Sequence, residues 1–199
     1  MDLKLIYGNM RALCEAPQMM LHYADIPYEY KMVWDHYGSS WAEVKKDIIF
    51  NRLPILIINE DKYLWQSNTI IRYLSNLTKT KPSDEFQLAY CDAVFESTHE
   101  MFSPLNPTIN MTFGEKYNSN KKKLLEDILP NSLNNFEKLL QNSSGNFFIG
   151  NDPFYCDFNA YHHFSMCLIL DKNIFSNFPN LKKFINNFEK LNNIKNYLD

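Results

Sequence analysis

The stretch from Leu53 to Leu74, LPILIINEDKYLWQSNTIIRYL, constrains the fold of this chain more than any other part of its sequence. Two short apolar runs, at residues 54–58 and 62–65, are separated by the polar turn Asn59-Glu60-Asp61, a pattern that predicts a β-hairpin. Pro54 opens the first run, where a strand tolerates a residue without an N–H donor. The hairpin therefore begins at a proline and not at an ordinary strand residue.

Two small polar residues, Gln66 and Ser67, follow the hairpin and precede a helical pattern from Thr69 to Leu77. Upstream of the hairpin, the periodicity predicts a strand, a helix, a second strand and a short helix, at residues 3–7, 13–25, 28–34 and 41–49. Pro17 is tolerated only in a first helical turn, so the first helix is expected to begin near Ala16. The order β-α-β-α-β-β-α predicts an α/β domain of residues 1–77 with a mixed sheet.

A second domain is predicted beyond a polar linker at residues 78–83, which contains a proline. The pattern after the linker is almost entirely helical, with helices expected at 84–112, 119–142, 157–171, 179–189 and 191–197. The sequence thus predicts an all-α domain of residues 84–199, joined to the α/β domain by a short linker.

Composition narrows the possible functions. The chain has 199 residues and a net charge of -3, which gives no strong attraction to nucleic acid or to an anionic membrane. No apolar run approaches the ~18 residues of a membrane span, and the first residues lack a secretory signal pattern. Four cysteines without CxxC spacing indicate a reduced, cytoplasmic protein, and no metal site is predicted; the cysteines are Cys14, Cys91, Cys156 and Cys167.

The whole chain resembles the cytosolic glutathione transferases, most closely their sigma class, which includes haematopoietic-type prostaglandin D synthase and the S-crystallins. Four segments carry the resemblance: LKLIYGNMRALCEA at 3–16, SWAEVKK at 40–46, RLPILIINEDKYLWQSNTIIRYL at 52–74 and FFIGNDPFYCDF at 147–158. The resemblance implies a thioredoxin-like first domain, a homodimer, glutathione as co-substrate and a hydrophobic electrophile as second substrate.

Several residues acquire expected roles from this resemblance. The Leu53–Pro54 bond is expected to be cis, so that the backbone of Leu53 faces outward and pairs with the peptide backbone of glutathione. Gln66 and Ser67 stand at a helix N-terminus, which attracts anions and would bind the γ-glutamyl carboxylate. Tyr7, at the end of the first strand, would donate a hydrogen bond to the glutathione thiolate.

Further contacts follow from the same resemblance. The glycyl end of glutathione is assigned to three residues, Trp41, Lys45 and Arg52, whose N–H groups suit a carboxylate. Glu100 would reach the ligand of the partner subunit across a two-fold dimer. The pocket for the second substrate is expected to be walled by Met10, Phe102, Leu105 and Met111.

The sequence departs from the family pattern at Leu13 and Phe154, Pro17 is unusual for the first helix and would shift its start, and Cys14 offers a different mechanism. Leu13 stands where sigma-class enzymes often carry an arginine. The absence of this positive charge predicts weaker activation of the thiol. Phe154 replaces the Ser or Thr of a capping box, leaving only its acidic half at Asp157. Cys14 lies near a helix start, where its pKa would be lowered if the thiol were exposed.

These departures leave rival functions open: a non-catalytic glutathione-binding or structural protein, a glutathione-dependent isomerase, and a thiol-disulfide reductase that uses Cys14.

Overall fold

The computed structural model of this protein describes residues 1–198, so Asp199, the last residue of the predicted helical domain, lies outside the described residues. The chain forms two compact units. The first contains residues 1–81 together with 192–197, and the second contains residues 82–191 and Leu198. The boundary after Lys81 falls within the segment predicted as a linker.

The first unit has a four-stranded sheet in the order β2-β1-β3-β4. Its strands and helices are β1 (Leu3–Tyr7), α1 (Glu15–Tyr23), β2 (Glu29–Met32), α2 (Val33–Tyr37), α3 (Trp41–Val44), β3 (Ile55–Ile58), β4 (Lys62–Trp65) and α4 (Ser67–Leu77). Strand β1 pairs with β2 in parallel and with β3 in antiparallel, and β3 pairs with β4 in antiparallel. The predicted mixed sheet is therefore confirmed.

Strand β3 is the central apolar strand of this sheet. All four of its residues, the run ILII, are buried, as expected for a strand covered on both faces. Its Ile55 and Ile57 pack in one apolar cluster with Ile6 of β1 and with Val33 and Ile48, which lie in the connection between β2 and β3.

Two local differences from the predicted elements occur between β2 and β3. The strand expected over 28–34 ends at Met32, and a short helix follows until Gly38, which adopts φ +67° and terminates it. The helix expected over 41–49 is α3 followed by two 3₁₀ turns, at 45–47 and 49–51. Phe50 has φ +65°, which no regular helix contains, so the helical pattern cannot continue.

Helix α1 begins one residue before the expected position, at Glu15, after a 3₁₀ turn of residues 12–14. Pro17 is then the third residue of the helix. Its missing N–H would have no intrahelical partner at that position, so the proline costs the helix little.

The second unit is all-helical, as predicted. Its helices are α5 (Glu85–Met111), α6 (Gly114–Lys123), α7 (Leu129–Gln141), α8 (Tyr155–Leu170) and α9 (Pro179–Glu189). The single helix expected over 119–142 is interrupted by a π-helical turn at 124–128, and Pro130 lies in the first turn of α7. The missing N–H and the ring of Pro130 prevent a regular helix from passing through this point.

The last helix, α10 (Asn192–Leu198), differs from the domain prediction of 84–199, because its residues 192–197 belong to the first unit. Ile194 is completely buried, and the Asn193 side-chain amide donates to the backbone carbonyl of Tyr23 over 3.2 Å. Within residues 1–198 no helix is long and apolar enough to cross a membrane.

The start of α8 is fixed by the buried carboxylate of Asp157. Its Oδ2 accepts the backbone N–H of Phe154 over 2.8 Å, which is the acidic half of a capping box, while the phenyl ring of Phe154 has no acceptor for the reciprocal bond. Its Oδ1 accepts the N–H of Phe148 over 3.1 Å and so ties the preceding loop to the helix. Burial raises the pKa of Asp157 to about 7, against the pull of these two donors.

We predict that Asp157→Ala lowers the free energy of unfolding by about 2–4 kcal/mol, because it leaves two buried or half-buried N–H groups without an acceptor. Urea unfolding at neutral pH measures this loss. Asp152→Ala, on the exposed loop before α8, is the matched control and should change stability by no more than about 0.5 kcal/mol. Equal effects of the two substitutions would contradict the role assigned to Asp157.

Candidate active site

One edge of the sheet gathers three separate parts of the sequence. Ile6 pairs with Ile55, so the end of β1 and the start of β3 lie side by side. Ile55 also pairs with Trp65, the last residue of β4. Tyr7, the Leu53–Pro54 pair and the Gln66–Ser67 pair therefore all flank the same end of three neighbouring strands.

Tyr7 is a buried tyrosine whose hydroxyl serves as a hydrogen-bond acceptor. The backbone N–H of Leu13 donates to its Oη over 3.3 Å. Burial, the dominant cause, raises the pKa of Tyr7 to about 12, while the Leu13 N–H pulls it back. The hydroxyl consequently keeps its proton at neutral pH and has that proton available to donate to an anion.

The Leu53–Pro54 peptide bond is cis, as expected. Pro54 is buried and Leu53 packs against the apolar cluster beneath the sheet edge. Within residues 1–198, the backbone N–H and C=O of Leu53 make no hydrogen bond with another backbone group. These two groups are suited to pair with an extended peptide, in the manner of one additional strand.

The N-terminus of α4 is suited to an anion. Gln66 precedes the helix with φ +72° and ψ 119°, and Ser67, its first residue, is 8% exposed. The first N–H groups of a helix have no intrahelical acceptor, and the first turn of α4 contains no acidic side chain. A carboxylate at this end would be stabilised by these donors, by the macrodipole and by the Ser67 hydroxyl.

The residues expected at the glycyl end surround the same part of the first unit. Trp41 opens α3, whose start is secured by a 2.9 Å bond from the Ser40 N–H to Glu43, and its ring packs against the apolar cluster that also holds Leu53. Lys45 and Arg52 are exposed and form no ion pair with any residue in the described part of the chain. Both cations are thus available to a ligand carboxylate.

The other predicted site residues have mixed environments. Met10 and Met111 are 38% and 59% exposed. Phe102 and Leu105 are buried in the helical unit, and the Phe102 ring stacks on that of His163 at 4.0 Å. Glu100, on the same helix as Phe102, is exposed. Their assignment to a second-substrate pocket and to the partner's glutathione remains a prediction.

Cys14 is completely buried, and burial raises the pKa of its thiol well above its ordinary value. A thiol without solvent access and without a thiolate is a poor nucleophile. This environment disfavours the reductase hypothesis.

Sequence reasoning missed the groups that hold the segment after β1. The hydroxyl of Tyr30 donates to the carbonyl of Gly8 over 2.6 Å, and the Leu13 N–H donates to Tyr7. Glu15 is buried, and Arg11 places its Nε 2.8 Å from the Glu15 carboxylate. Of these contacts, only the Arg11–Glu15 ion pair could have been predicted from the sequence, because i,i+4 spacing is typical of helical ion pairs.

Comparison with known proteins identifies the family. The family model described as the N-terminal domain of glutathione S-transferase matches residues 1–76, and the model described as its C-terminal domain matches residues 99–199. This chain belongs to the glutathione S-transferase family. No group of metal-binding residues is found within residues 1–198 of this family member.

The alignments with individual relatives cover nearly all of this chain. Glutathione S-transferase P of Caenorhabditis elegans is 29% identical over 203 residues, which cover 100% of this chain and 93% of the relative. Human glutathione S-transferase Mu 3 is 29% identical over 199 residues, with 96% and 85% covered. A solved structure of rat hPGDS complexed with a quinoline superposes with a TM-score of 0.87 at 25% identity, with 100% and 96% covered.

The class within the glutathione S-transferases does not follow from these likenesses. Relatives named P and Mu are as similar to this chain as the structure of the rat protein, so the sigma class has no advantage in identity over the other two.

We predict that the four cysteines of the native protein react slowly with a thiol reagent at neutral pH and that all four react rapidly after unfolding, because all are buried. Titration with 5,5′-dithiobis(2-nitrobenzoic acid) measures how many thiols react, and how fast, before and after unfolding. Cys14→Ser should leave glutathione-dependent activity within about twofold of wild type, since the buried thiol takes no part in the proposed chemistry. Loss of activity in Cys14→Ser would restore the reductase hypothesis.

Proposed function

We propose that this glutathione transferase binds glutathione along the sheet edge of its first unit and activates the thiol with Tyr7 for attack on apolar electrophiles. One observation carries the proposal: the Tyr7 hydroxyl accepts the Leu13 N–H, so its own proton remains available to a sulfur anion. Family membership supports glutathione as the co-substrate.

Glutathione would be held by three groups of contacts that correspond to its three residues. The backbone of Leu53 pairs with the cysteinyl unit, and the N-terminus of α4 with Ser67 and Gln66 receives the γ-glutamyl carboxylate. The side chains of Trp41, Lys45 and Arg52 contact the glycyl carboxylate. The two ends of the tripeptide fix its orientation, so that the central sulfur lies next to Tyr7.

The chemical step is a substitution or an addition at an electrophilic carbon. The glutathione thiol loses its proton to solvent, and the Tyr7 O–H···S⁻ hydrogen bond stabilises the thiolate. The sulfur lone pair then forms a C–S bond while a leaving group departs with its electron pair, or while an added proton neutralises the adduct. Tyr7 keeps its proton throughout, in agreement with its raised pKa.

The second substrate would be apolar and would contact Met10, Phe102, Leu105 and Met111. A homodimer would complete each site with Glu100 of the second copy, whose carboxylate would pair with the γ-glutamyl ammonium group.

A second function is favoured by one specific likeness. The rat structure described as hPGDS matches the complete chain at a TM-score of 0.87, which supports a glutathione-dependent isomerase as the alternative. Such an isomerase would use the same glutathione site and the same Tyr7 hydroxyl, and it would differ in the second substrate. A non-catalytic binding protein is the remaining alternative, supported by Leu13 in place of a cationic side chain.

We predict that Tyr7→Phe lowers kcat/KM for conjugation of glutathione to 1-chloro-2,4-dinitrobenzene by up to about 10²-fold, the effect of losing one positioned donor. The wild-type rate should rise with pH through the thiol pKa of the complex and then stay level to about pH 10, because Tyr7 titrates near 12. In Tyr7→Phe the rising limb should move toward ~8.5, the pKa of a free thiol.

The control is Tyr73→Phe, which removes an exposed hydroxyl elsewhere in the first unit and should retain wild-type kinetics. Wild-type conjugation that persists unchanged in Tyr7→Phe would contradict the proposed mechanism. A wild type that binds glutathione without conjugating it would favour the isomerase or the binding protein.

We predict that the protein is a dimer by size-exclusion chromatography with light scattering and that Glu100→Gln raises KM for glutathione about fivefold, the value of an exposed ion pair worth about 1 kcal/mol. Glu85→Gln, an exposed glutamate on the same helix, should leave KM unchanged. A monomeric protein with wild-type KM in Glu100→Gln would exclude a contribution of Glu100 across a dimer.

A further inference from the structure

A cavity of about 570 Å³ lies entirely within the second unit. Its walls come from the first two turns of α5, the last turn of α7 and the loop of residues 142–154 that leads to α8. None of its lining residues, which all lie between positions 86 and 154, belongs to the proposed glutathione site or to the predicted second-substrate pocket. Small-molecule sites occupy roughly 300–1,000 Å³, so this cavity has the size for a ligand of its own.

Four aromatic side chains line the cavity: Phe86, Tyr90, Phe148 and Phe154. Phe148 is 3% exposed and Phe86, in the first turn of α5, is 79% exposed, so the aromatic lining extends from the protein interior to the solvent. At this exposure the Phe86 ring adds little to the packing of the helical unit. Aromatic rings bind other aromatic rings, and their faces also attract cations.

The charges at the cavity favour a cationic ligand. Asp152 is the one charged side chain among the lining residues, and it forms no ion pair within residues 1–198. Helix α7 ends at the cavity, where its C-terminus carries a partial negative charge, and Lys138 of its last turn is not a lining residue. The positive N-terminus of α5 is capped by Asp84, whose Oδ1 accepts the N–H of Gln87 over 2.9 Å.

Polar groups at the cavity are available to a ligand. The side chains of Tyr90, Ser144 and Asn151 make no hydrogen bond within the described residues 1–198. Burial raises the pKa of Tyr90, so its hydroxyl keeps its proton at neutral pH and can both donate and accept. The oxygens of these three side chains can accept the N–H groups of an amine.

The loop that contributes Ser144 and Asn151 is held by its own backbone. The Ser143 hydroxyl donates to the carbonyl of Phe147, and the Phe147 N–H donates to the carbonyl of Gly150 over 3.0 Å. A Cβ on Gly145 would lie 2.1 Å from the Gly150 carbonyl oxygen, so only glycine permits this close approach. The cavity is therefore formed before a ligand binds, which lowers the entropy lost on binding.

We propose that this cavity is a second binding site, for an aromatic amine in its protonated form. The ring of the ligand packs against Phe86, Tyr90 and Phe154, and its ammonium group pairs with Asp152. The site does not use glutathione or Tyr7, so the proposal stands or falls independently of the proposed function.

Tryptamine tests the proposal, because it combines an aromatic ring with an ammonium group, and indole-3-propionate carries a carboxylate on a chain of the same length. Isothermal titration calorimetry with the full chain measures the Kd of each. We expect saturable binding of tryptamine, with a Kd at least about tenfold below that of indole-3-propionate, because one charge is attracted and the other repelled. Equal Kd values, or no saturable binding of tryptamine at millimolar concentration, would overturn the proposal.

Two variants locate the site. Asp152→Asn and Phe86→Ala should each raise the Kd of tryptamine about fivefold, through loss of an exposed ion pair and of an aromatic face. Both residues are exposed, so the variants should unfold at the wild-type urea midpoint.

Asp127→Asn is the matched control, because it removes an exposed carboxylate of the same unit outside the cavity. Its Kd for tryptamine should stay within about twofold of wild type, since distant exposed charges are screened by salt. An unchanged Kd in Asp152→Asn or Phe86→Ala, or an equal increase in Asp127→Asn, would overturn the proposal.

The same titration in saturating glutathione distinguishes the two sites. The Kd of tryptamine should not change, and displacement of tryptamine by glutathione would place the amine in the glutathione site and reject the inference. Glutathione conjugation without tryptamine binding would likewise reject the inference and leave the proposed function standing. A protein that binds tryptamine but neither binds nor conjugates glutathione would reject the proposed function alone.

Discussion

The antiparallel pairing of Ile6 with Ile55 is the constraint on which the proposed glutathione site depends. It brings the end of β1 beside the start of β3, and the return of β4 adds the first turn of α4 to the same edge. Side chains in a strand alternate between the two faces of the sheet, so a slip of one residue would move Tyr7 to the opposite face. The observed register also lets Ile55 and Ile57 of β3 pack with Ile6 of β1 in one apolar cluster, a packing that a slip would disrupt.

Much of this architecture was predictable because, in β1, β3, β4 and α4, the local sequence pattern favours the same secondary structure that the fold requires. The hairpin signal, the apolar run of β3 and the polar residues at the start of α4 each favour one structure. The errors lie where one residue changes the backbone: Gly38 and Phe50 adopt positive φ, and Pro130 interrupts a regular amphipathic pattern. Periodicity reports the burial of side chains, and it contains no direct information on these isolated backbone conformations.

The environment of Cys14 illustrates how magnitudes decide between two sequence arguments. A helix N-terminus stabilises an anion by about 0.3–1 kcal/mol near the surface. Removing a thiolate completely from water costs more than this, and the pKa of Cys14 is raised accordingly. The sequence gives the position of Cys14 near the helix start but not its burial. The stabilisation of a thiolate by the helix N-terminus could therefore be inferred from the sequence, whereas the larger cost of burying that thiolate could not.

The departure at residue 13 has a similar explanation. Sequence comparison considers the side chain of Leu13, which lacks the cationic group that sigma-class enzymes often carry. The structure assigns the contact with Tyr7 to the backbone N–H of the same residue, and every amino acid except proline supplies that donor. A donor to the hydroxyl oxygen also polarises the O–H bond, which strengthens the bond that the hydroxyl donates onward. The geometry of the turn at residues 11–15, and not the identity of side chain 13, is therefore the property that the proposed thiol activation would require. At its end the turn contains the buried carboxylate of Glu15, which lies 2.8 Å from Nε of Arg11 at its beginning.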